Sequence, residues 1–475
     1  MTTSAGAGAG LAGINHIVVL MLENRSFDHM LGYLYADAGN VSPSGQPFEG
    51  LTGNESNPDA NGNPVSVYPI TPSTPNAYFM PGADPGEGYQ ATNDQLWGAD
   101  TAPAPGAAAT MRGFVKDFAY TIGWETKESW SIVAGTTAND IMGCFTPPML
   151  PVLSALAKGY AVCDHWFSSA PTETMPNRAF ALAATSQGHM DDKTRTFTSP
   201  SIFGLLGQHN VTWGIYGYDA EPLTKSTFTD IASAPGGTIG KFSDFAAAAA
   251  AGSLPAFSFL EPSWSSTGNS QHPAYDVAAG EQLMHDVYEA LRAGPGWPQT
   301  LLVITYDEHG GCFDHVPPPS GAVPPDNTAG EFSFDFARFG VRVPAVLISP
   351  LIAAGTVYRA SADGTPLDHT SVLKTVEQRW GLPALTARDA AAPGFGDVLT
   401  LTTPRTDDVL AGVVVPVATG PNPAAAQPSH LQEVQADLIS RQFPAGQHDD
   451  ANALARTGTN EAYATYIRHH SVTRT

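Results

Sequence analysis

The run IVVLML (Ile17–Leu22), followed at once by Glu23-Asn24, decides the fold. Its six apolar residues are continuous rather than alternating, as in a strand buried on both faces, and such strands belong to parallel sheets covered by helices. Similar runs recur along the chain: YAVC (Tyr160–Cys163), TWGIY (Thr212–Tyr216), AFSFL (Ala256–Leu260), LLVIT (Leu301–Thr305) and AVLIS (Ala345–Ser349). Helical stretches lie between them, at Pro148–Lys158, Pro176–Ser186, Val277–Ala293 and Thr370–Trp380. Alternating strands and helices predict an α/β fold with a mostly parallel central sheet.

The residues just beyond these runs point to a site. IVVLML leads into Glu23-Asn24, YAVC into Asp164-His165, AFSFL into Glu261, and LLVIT through Tyr306 into Asp307-Glu308-His309. Ligands of open parallel sheets bind at the carboxyl ends of the strands. Glu23, Asn24, Asp307 and Glu308 make an oxygen-rich set that suits a hard divalent cation such as Ca²⁺, Mg²⁺ or Mn²⁺. The plainer alternative is strand-end capping by solvated acids. A zinc site at Asp307–His309 lacks a second histidine at helical ligand spacing.

Thr174-Met175-Pro176-Asn177-Arg178 opens a helix, since proline is tolerated in a first helical turn. Thr174 reads either as a capping threonine or as a nucleophile, its oxygen favoured by the helix N-terminus and by a metal. Thr172 is the other local candidate. Of the 14 histidines, His272, His309, His315 and His369 lie in polar, turn-like contexts. His272 and His315, each beside a proline-containing turn, are candidates for contacting phosphoryl oxygens or protonating a leaving group. Gly310-Gly311 permits a tight turn after the acidic pair. No GxGxxG follows the first strand, and Walker A, GxSxG and HExxH signatures are absent.

The whole chain sets the bounds. It has 475 residues and a net charge of −23, with 22 basic and 45 acidic residues. So negative a chain is a poor general binder of nucleic-acid backbones and is repelled by strongly anionic bilayers; an anionic substrate stays open where a bound cation reverses the local field. Charged residues are only 14%, while Gly (47) and Pro (40) are abundant, which predicts much ordered loop. That loop content concentrates between Ala38 and Pro105, read as long insertions over the sheet edge. Ala246–Ala251 is low-complexity helix or linker. Pro416–Pro428 reads as a linker, and HLQEVQADLISRQF beyond it as an amphipathic helix able to pack back on the core. Cys144, Cys163 and Cys312 form no disulfide framework and read as structural thiols. The N-terminus lacks a basic signal region, and no stretch approaches the ~20 apolar residues of a membrane helix. The expectation is a soluble protein without a transmembrane segment, cytoplasmic or exported by an unrecognised route.

Four segments together carry a family resemblance: INHIVVLMLENRSFDHMLGYL (Ile14–Leu34), FTPPMLPVLSALAKGYAVCDHWFSSAPTETMPNRAF (Phe145–Phe180), TYDEHGGCFDHVPPP (Thr305–Pro319) and DHTSVLKTVEQRWGLP (Asp368–Pro383). In this order they resemble the bacterial phospholipase C and acid phosphatase phosphoesterase family, which includes the plant non-specific phospholipases C. The resemblance implies an alkaline-phosphatase-like α/β/α sandwich. It implies one divalent metal ion, Ca, Mg or Mn with Zn also open, held by Glu23, Asn24, Asp307 and Glu308, and a nucleophile at Thr174. The wider superfamily includes sulfatases with Cys or Ser, then x-Pro-x-Arg; threonine in that frame cannot become their formylglycine, which disfavours sulfate esters.

One segment departs from the pattern. Asp84-Pro85-Gly86-Glu87-Gly88 carries Glu87 where the family commonly has histidine, so Glu87 binds a cation, contacts a cationic head group such as choline, or is a bystander. The expected reaction is phospholipase C cleavage on the glycerol side of the phosphodiester through a phosphothreonine. The expected catalytic residues are Thr174, His272, Arg178 and His315, with Glu87 and Asn177 as substrate-binding residues. The alternatives are a broad acid phosphatase acting on monoesters and, in another class, a non-catalytic metal-stabilised binding protein. The partner is a phospholipid or small phosphate ester, not a nucleic acid. The expected organisation is one catalytic domain over 1–415 and a linker with a helical tail over 416–475.

Overall fold

The computed structural model describes residues 10–101, 103–104, 106–130, 132–265, 267–360, 365–419, 427–443 and 458–470. The first nine residues of the N-terminal run and residues 420–426 of the expected linker lie outside them.

Eight strands form the central sheet: β1 (His16–Leu22), β2 (Ala161–Val162), β3 (Trp213–Gly217), β4 (Gly237–Lys241), β5 (Phe257–Glu261), β6 (Thr300–Tyr306), β7 (Ala345–Ile348) and β8 (Thr356–Val357). Their spatial order is β8-β2-β7-β6-β1-β5-β3-β4. β1 lies between β6 and β5 and runs parallel to both, while β7 pairs antiparallel with β6 and with β2. The sheet is therefore mostly parallel, with β7 reversed. Ile17 to Leu22 are all buried. At about 1.5–3 kcal/mol for each buried aliphatic side chain, this run holds the middle of the sheet in place. All six apolar runs became strands.

Helices cover the sheet. Those that frame the site are α1 (Pro151–Gly159), α2 (Thr174–Ala183), α3 (Val277–Ala293) and α4 (Thr370–Trp380). α1 begins with a proline, and its orphan amides at Val152 and Leu153 donate to Glu281 of α3 at 2.6 and 3.1 Å. A carboxylate at a helix N-terminus satisfies groups that the helix itself leaves unpaired. α2 is buried along its whole length, so its first residue is delivered to the sheet edge from within the core.

The stretch 38–105 is less irregular than its composition suggests. It contains the hairpin Ser56–Pro58 and Pro64–Ser66 and a helix over Tyr89–Trp97. The tail helix α5 (His430–Ser440) is capped by Ser429 and buries Leu431, Val434 and Leu438 in the main core; α6 (Asn460–His470) packs on α5 through Tyr463, Tyr466 and Ile467. Cys144, Cys163 and Cys312 are buried and unbridged. Among the described residues, no helix is long and apolar enough to cross a membrane.

Candidate active site

Strand register brings the acids together. Leu22 pairs with Tyr306, so the next residues, Glu23 and Asp307, leave the sheet side by side. Asn24 takes a left-handed backbone (φ 55), a conformation asparagine tolerates. Its amide donates to Asp307 Oδ1 at 2.9 Å, and the Arg25 amide donates to the Glu308 carbonyl at 3.0 Å. The two strand ends are thereby joined. Gly310 lets the 308–312 turn close over Asn24: at φ 58, an added Cβ would lie 2.2 Å from the Asn24 carbonyl oxygen. This is the tight turn expected of Gly310-Gly311.

Thr174 is the first residue of α2, after Glu173 at the cap. It is 1% exposed, and its hydroxyl donates to Asn24 Oδ1 at 2.9 Å. Thr172 instead donates to the Met190 carbonyl at 2.6 Å, which engages its hydroxyl in the loop. Arg178, one turn along α2, donates from Nε to Asp307 Oδ2 at 2.9 Å and from Nη2 to the Leu22 carbonyl at 2.9 Å. Its plane lies over the Trp264 ring at 4.5 Å, and its Nη1 is buried without a hydrogen-bond partner. Asn177 is turned to its own loop, accepting from the Ala170 amide and donating to the Ala170, Thr172 and Glu173 carbonyls. Its amide shapes the approach to α2.

The histidines divide. The His272 ring is close to Asp84, with Nε2 3.7 Å from Oδ1. His369 Nε2 bonds to the Asp307 carbonyl at 2.5 Å and Nδ1 receives the Trp166 indole N–H at 3.3 Å, so the proton sits on Nε2 and the ring positions Asp307. His309 is fixed between Gln95 Oε1 and Glu308, and burial pushes it down to about 3, which keeps it neutral. His315 lies elsewhere: its Nδ1 meets Asp28 Oδ2 at 2.5 Å, in a network where the buried Arg342 bridges Asp28 and Asp314. His315, expected to face the phosphoryl group, thus has this nitrogen engaged with Asp28. Asp164 and Glu261 also turn to local partners, Asp164 to Arg359 and Arg342, Glu261 to Thr224. β2 is separated from β6 by β7, about 10 Å at ordinary strand spacing, which explains why Asp164 is not in the site.

The site is crowded with buried acids. Burial, helped by Asp307, pushes Glu23 up to about 7 against the opposing effect of His272. Burial and then repulsion from Asp84, Glu308, Asp192 and Glu173 hold Glu87 well above the usual carboxylate range. Glu308 is raised in the same way by burial and by Asp307, and Glu173 is pushed up to about 8 by burial and by Asp192. Burial disfavours the charged His272 ring, but Asp84 and Glu23 together raise it above its ordinary value. Glu23 Oε2 and Glu308 Oε1 are buried and have no hydrogen-bond partner. Oxygen donors without counter-ions fit a hard divalent cation. Asp307, however, is already engaged by Arg178 and by the Asn24 and Glu308 amides. Among the described residues, the acid and imidazole atoms that approach one another within 4.8 Å in threes belong to Asp84–Glu87–His272 and Asp28–Asp314–His315. Glu87 joins the expected ligand set through the Asn24 side-chain amide, which donates to Glu87 Oε2.

Sequence reasoning missed several contributors. Asp192 accepts the Met175 amide at 2.6 Å and donates its own amide to Glu173, so it braces the start of α2. Trp264 supports Arg178, and the tail reaches both: Ser429 Oγ donates to the Trp264 carbonyl at 2.6 Å, and His430 Nε2 meets the Asp192 carbonyl at 2.9 Å. Neither a strand end nor a motif marks these positions. Asp84 alone carried a signal, beside Glu87 in DPGEG.

The Phosphoesterase family model matches residues 14–383. Non-specific phospholipase C6 of Arabidopsis thaliana is 36% identical over 458 residues, covering 90% of this chain and 79% of that protein. Non-specific phospholipase C3 of the same plant is 36% identical over 439 residues, covering 85% and 77%. Phospholipase C A of Mycobacterium tuberculosis is 28% identical over 441 residues, covering 83% and 78%. Among solved structures, an alkaline phosphatase superfamily protein from Vibrio parahaemolyticus aligns over 54% of this chain and 66% of its own at 13% identity, with a TM-score of 0.32.

Proposed function

This chain belongs to the Phosphoesterase family and is a phosphoric ester hydrolase, and we propose that it is a phospholipase C acting through a covalent phosphothreonine. The observation that carries the reading is the Thr174 hydroxyl at the N-terminus of α2, bonded at 2.9 Å to Asn24 beside Glu23, Asp307 and Glu308. Thr172, the rival nucleophile, is engaged with a carbonyl.

Glu23, Asn24 and Glu308, with Asp307 behind them, would hold a divalent cation. When bound, that ion supplies positive charge for the nucleophile and for the phosphoryl oxygens in a strongly acidic pocket. The residues do the rest. Asn24 accepts the Thr174 hydroxyl bond and so orients the oxygen. Thr174 Oγ gives up its proton as it attacks phosphorus, the bond to the diacylglycerol oxygen breaks, and that oxygen takes up a proton in exchange. Water then attacks the phosphothreonine, releasing the phosphorylated head group and restoring the hydroxyl. Arg178 positions Asp307, and its Nη1 has hydrogen-bonding capacity left for a phosphoryl oxygen. We assign protonation of the leaving group to His272, 3.7 Å from Asp84, when no second ion stands before it.

The test compares phosphatidylcholine with a small aryl phosphate, using the parent, Thr174→Ala and Thr174→Ser. Thr174→Ala is expected to lose roughly three orders of magnitude or more in kcat, whereas serine retains measurable turnover and acid quenching traps labelled phosphate on the parent. Equal turnover by Thr174→Ala overturns the mechanism. Brisk monoester turnover without lipid hydrolysis overturns the phospholipase assignment in favour of an acid phosphatase. If chelation lowers the Tm of a protein that turns over neither substrate, the binding-protein reading replaces both.

A further inference from the structure

Beside the four expected ligands stands a second group of donors. Asp84, Glu87 and His272 each offer an atom within 4.8 Å of the others. His272 Nδ1 faces the Pro273 carbonyl at 3.1 Å. A carbonyl can only accept, so Nδ1 carries a proton, and in the neutral ring Nε2 presents its lone pair on the Asp84 side, 3.7 Å from Oδ1. A histidine whose distal nitrogen is fixed by a carbonyl has the outer support usual for a metal ligand. The loop carrying it is held by Arg25, which donates to the Gln271 and His272 carbonyls at 2.6 and 3.1 Å.

Two buried oxygens here have no hydrogen-bond partner. Asp84 Oδ1 is one; its backbone amide is engaged by Glu125 at 3.2 Å. Glu23 Oε2 is the other, on a residue that is 2% exposed and whose amide donates at 3.0 Å to the Ser270 carbonyl, two residues before His272. Glu23 thus adjoins both the first ligand set, through Asn24, and the loop that carries His272, and the Asn24–Glu87 hydrogen bond ties the two groups together. No guanidinium or ammonium contact to Glu87 exists among the described residues.

We propose that Asp84, Glu87 and His272 hold a second divalent cation beside the first, with the Glu23 carboxylate between the two. The inference rests on the first site assigned above. One imidazole nitrogen with carboxylate oxygens suits Zn²⁺ or Mn²⁺ better than Ca²⁺. Two neighbouring ions would act on the attacking and leaving oxygens together, and His272 would then serve as a ligand, not as an acid.

The experiment counts metal on the full chain. Chelator-treated protein is reloaded with Mn²⁺ or Zn²⁺, freed of excess ion, and metal per chain is measured by mass spectrometry, with circular dichroism to verify folding. The expected result is two ions for the parent, one for Glu87→Gln, one for Asp84→Asn and one for Glu308→Gln. One ion in the parent that survives Glu87→Gln but not Glu308→Gln overturns the second site and leaves the first standing. One ion that survives Glu308→Gln but not Glu87→Gln overturns the two-site proposal and the first assignment with it, and no bound ion removes both. Two ions that persist in both Glu87→Gln and Asp84→Asn also overturn the proposal. So does Glu87-dependent binding of choline in a one-ion protein, which makes the trio a head-group subsite.

Discussion

Replacing Glu23 by glutamine sets the chemistry of the site against the stability of the fold. Burial is the main reason the Glu23 carboxyl rises from its ordinary 4.5 to about 7, with Asp307 adding repulsion and His272 opposing it. In chelator-stripped protein, the folded chain keeps a proton that the unfolded chain gives up as pH rises past 4.5. The native state then binds more protons than the unfolded one, so stability falls with rising pH and levels off once the folded carboxyl has also ionised, above about 7. At about 1.4 kcal/mol for each tenfold change in proton affinity, the loss at pH 8 amounts to about 3 kcal/mol. Glutamine keeps the shape and cannot ionise. Stripped Glu23→Gln should therefore be about 3 kcal/mol more stable than the parent at pH 8, and little different at pH 4.5. Urea unfolding at both pH values measures the gap, and adding metal should stabilise the parent more than the variant. Equal stability at pH 8, or a gap that persists on acidification, would refute the reasoning.

Gly310→Ala forces a β-carbon to within 2.2 Å of the Asn24 carbonyl at a positive φ. It should lower metal affinity by roughly 10–100-fold, as outer-shell changes do, seen as a weaker metal-induced rise in Tm. Arg342→Met leaves Asp28 and Asp314 buried without their shared cation. Denaturant unfolding should show a loss of roughly 3–5 kcal/mol, while kcat of the remaining folded protein stays near the parent value, since this network does not contact Thr174.

The sheet was legible because its strands are buried on both faces, and an unbroken apolar run records that burial directly. The reversal of β7 was not legible: AVLIS reads the same whichever way it runs, and direction is settled by the connections around it. Polar residues at strand ends were only half a signal. Glu23 and Asp307 converge because β1 and β6 are adjacent and in register, whereas Asp164 and Glu261, at strand ends of the same appearance, found an arginine and a threonine nearby. The choice between Thr172 and Thr174 depended on which hydroxyl meets a carbonyl, and spacing does not encode that. His315 illustrates the same limit. It lies seven residues beyond Glu308, yet the chain turns at Gly310-Gly311 and carries it to Asp28. Asp192, Trp264 and the docked tail come from segments distant in sequence, brought in by core packing that no local pattern announces.

The unbroken pairing of β1 with β6, from His16–Thr300 to Leu22–Tyr306, has a consequence for how this chain tolerates changes of length. Successive side chains of a strand point to opposite faces. A single-residue deletion inside either strand would therefore turn Glu23 or Asp307 to the wrong face, even if every apolar residue found a new partner. The exposed turns of the stretch 38–105 are under no such count, because an inserted residue there can bulge into solvent. Insertions and deletions should accordingly be lethal to activity in fourteen strand residues, His16–Leu22 and Thr300–Tyr306, and largely silent in the exposed turns around Gly45, Gly53 and Gly62.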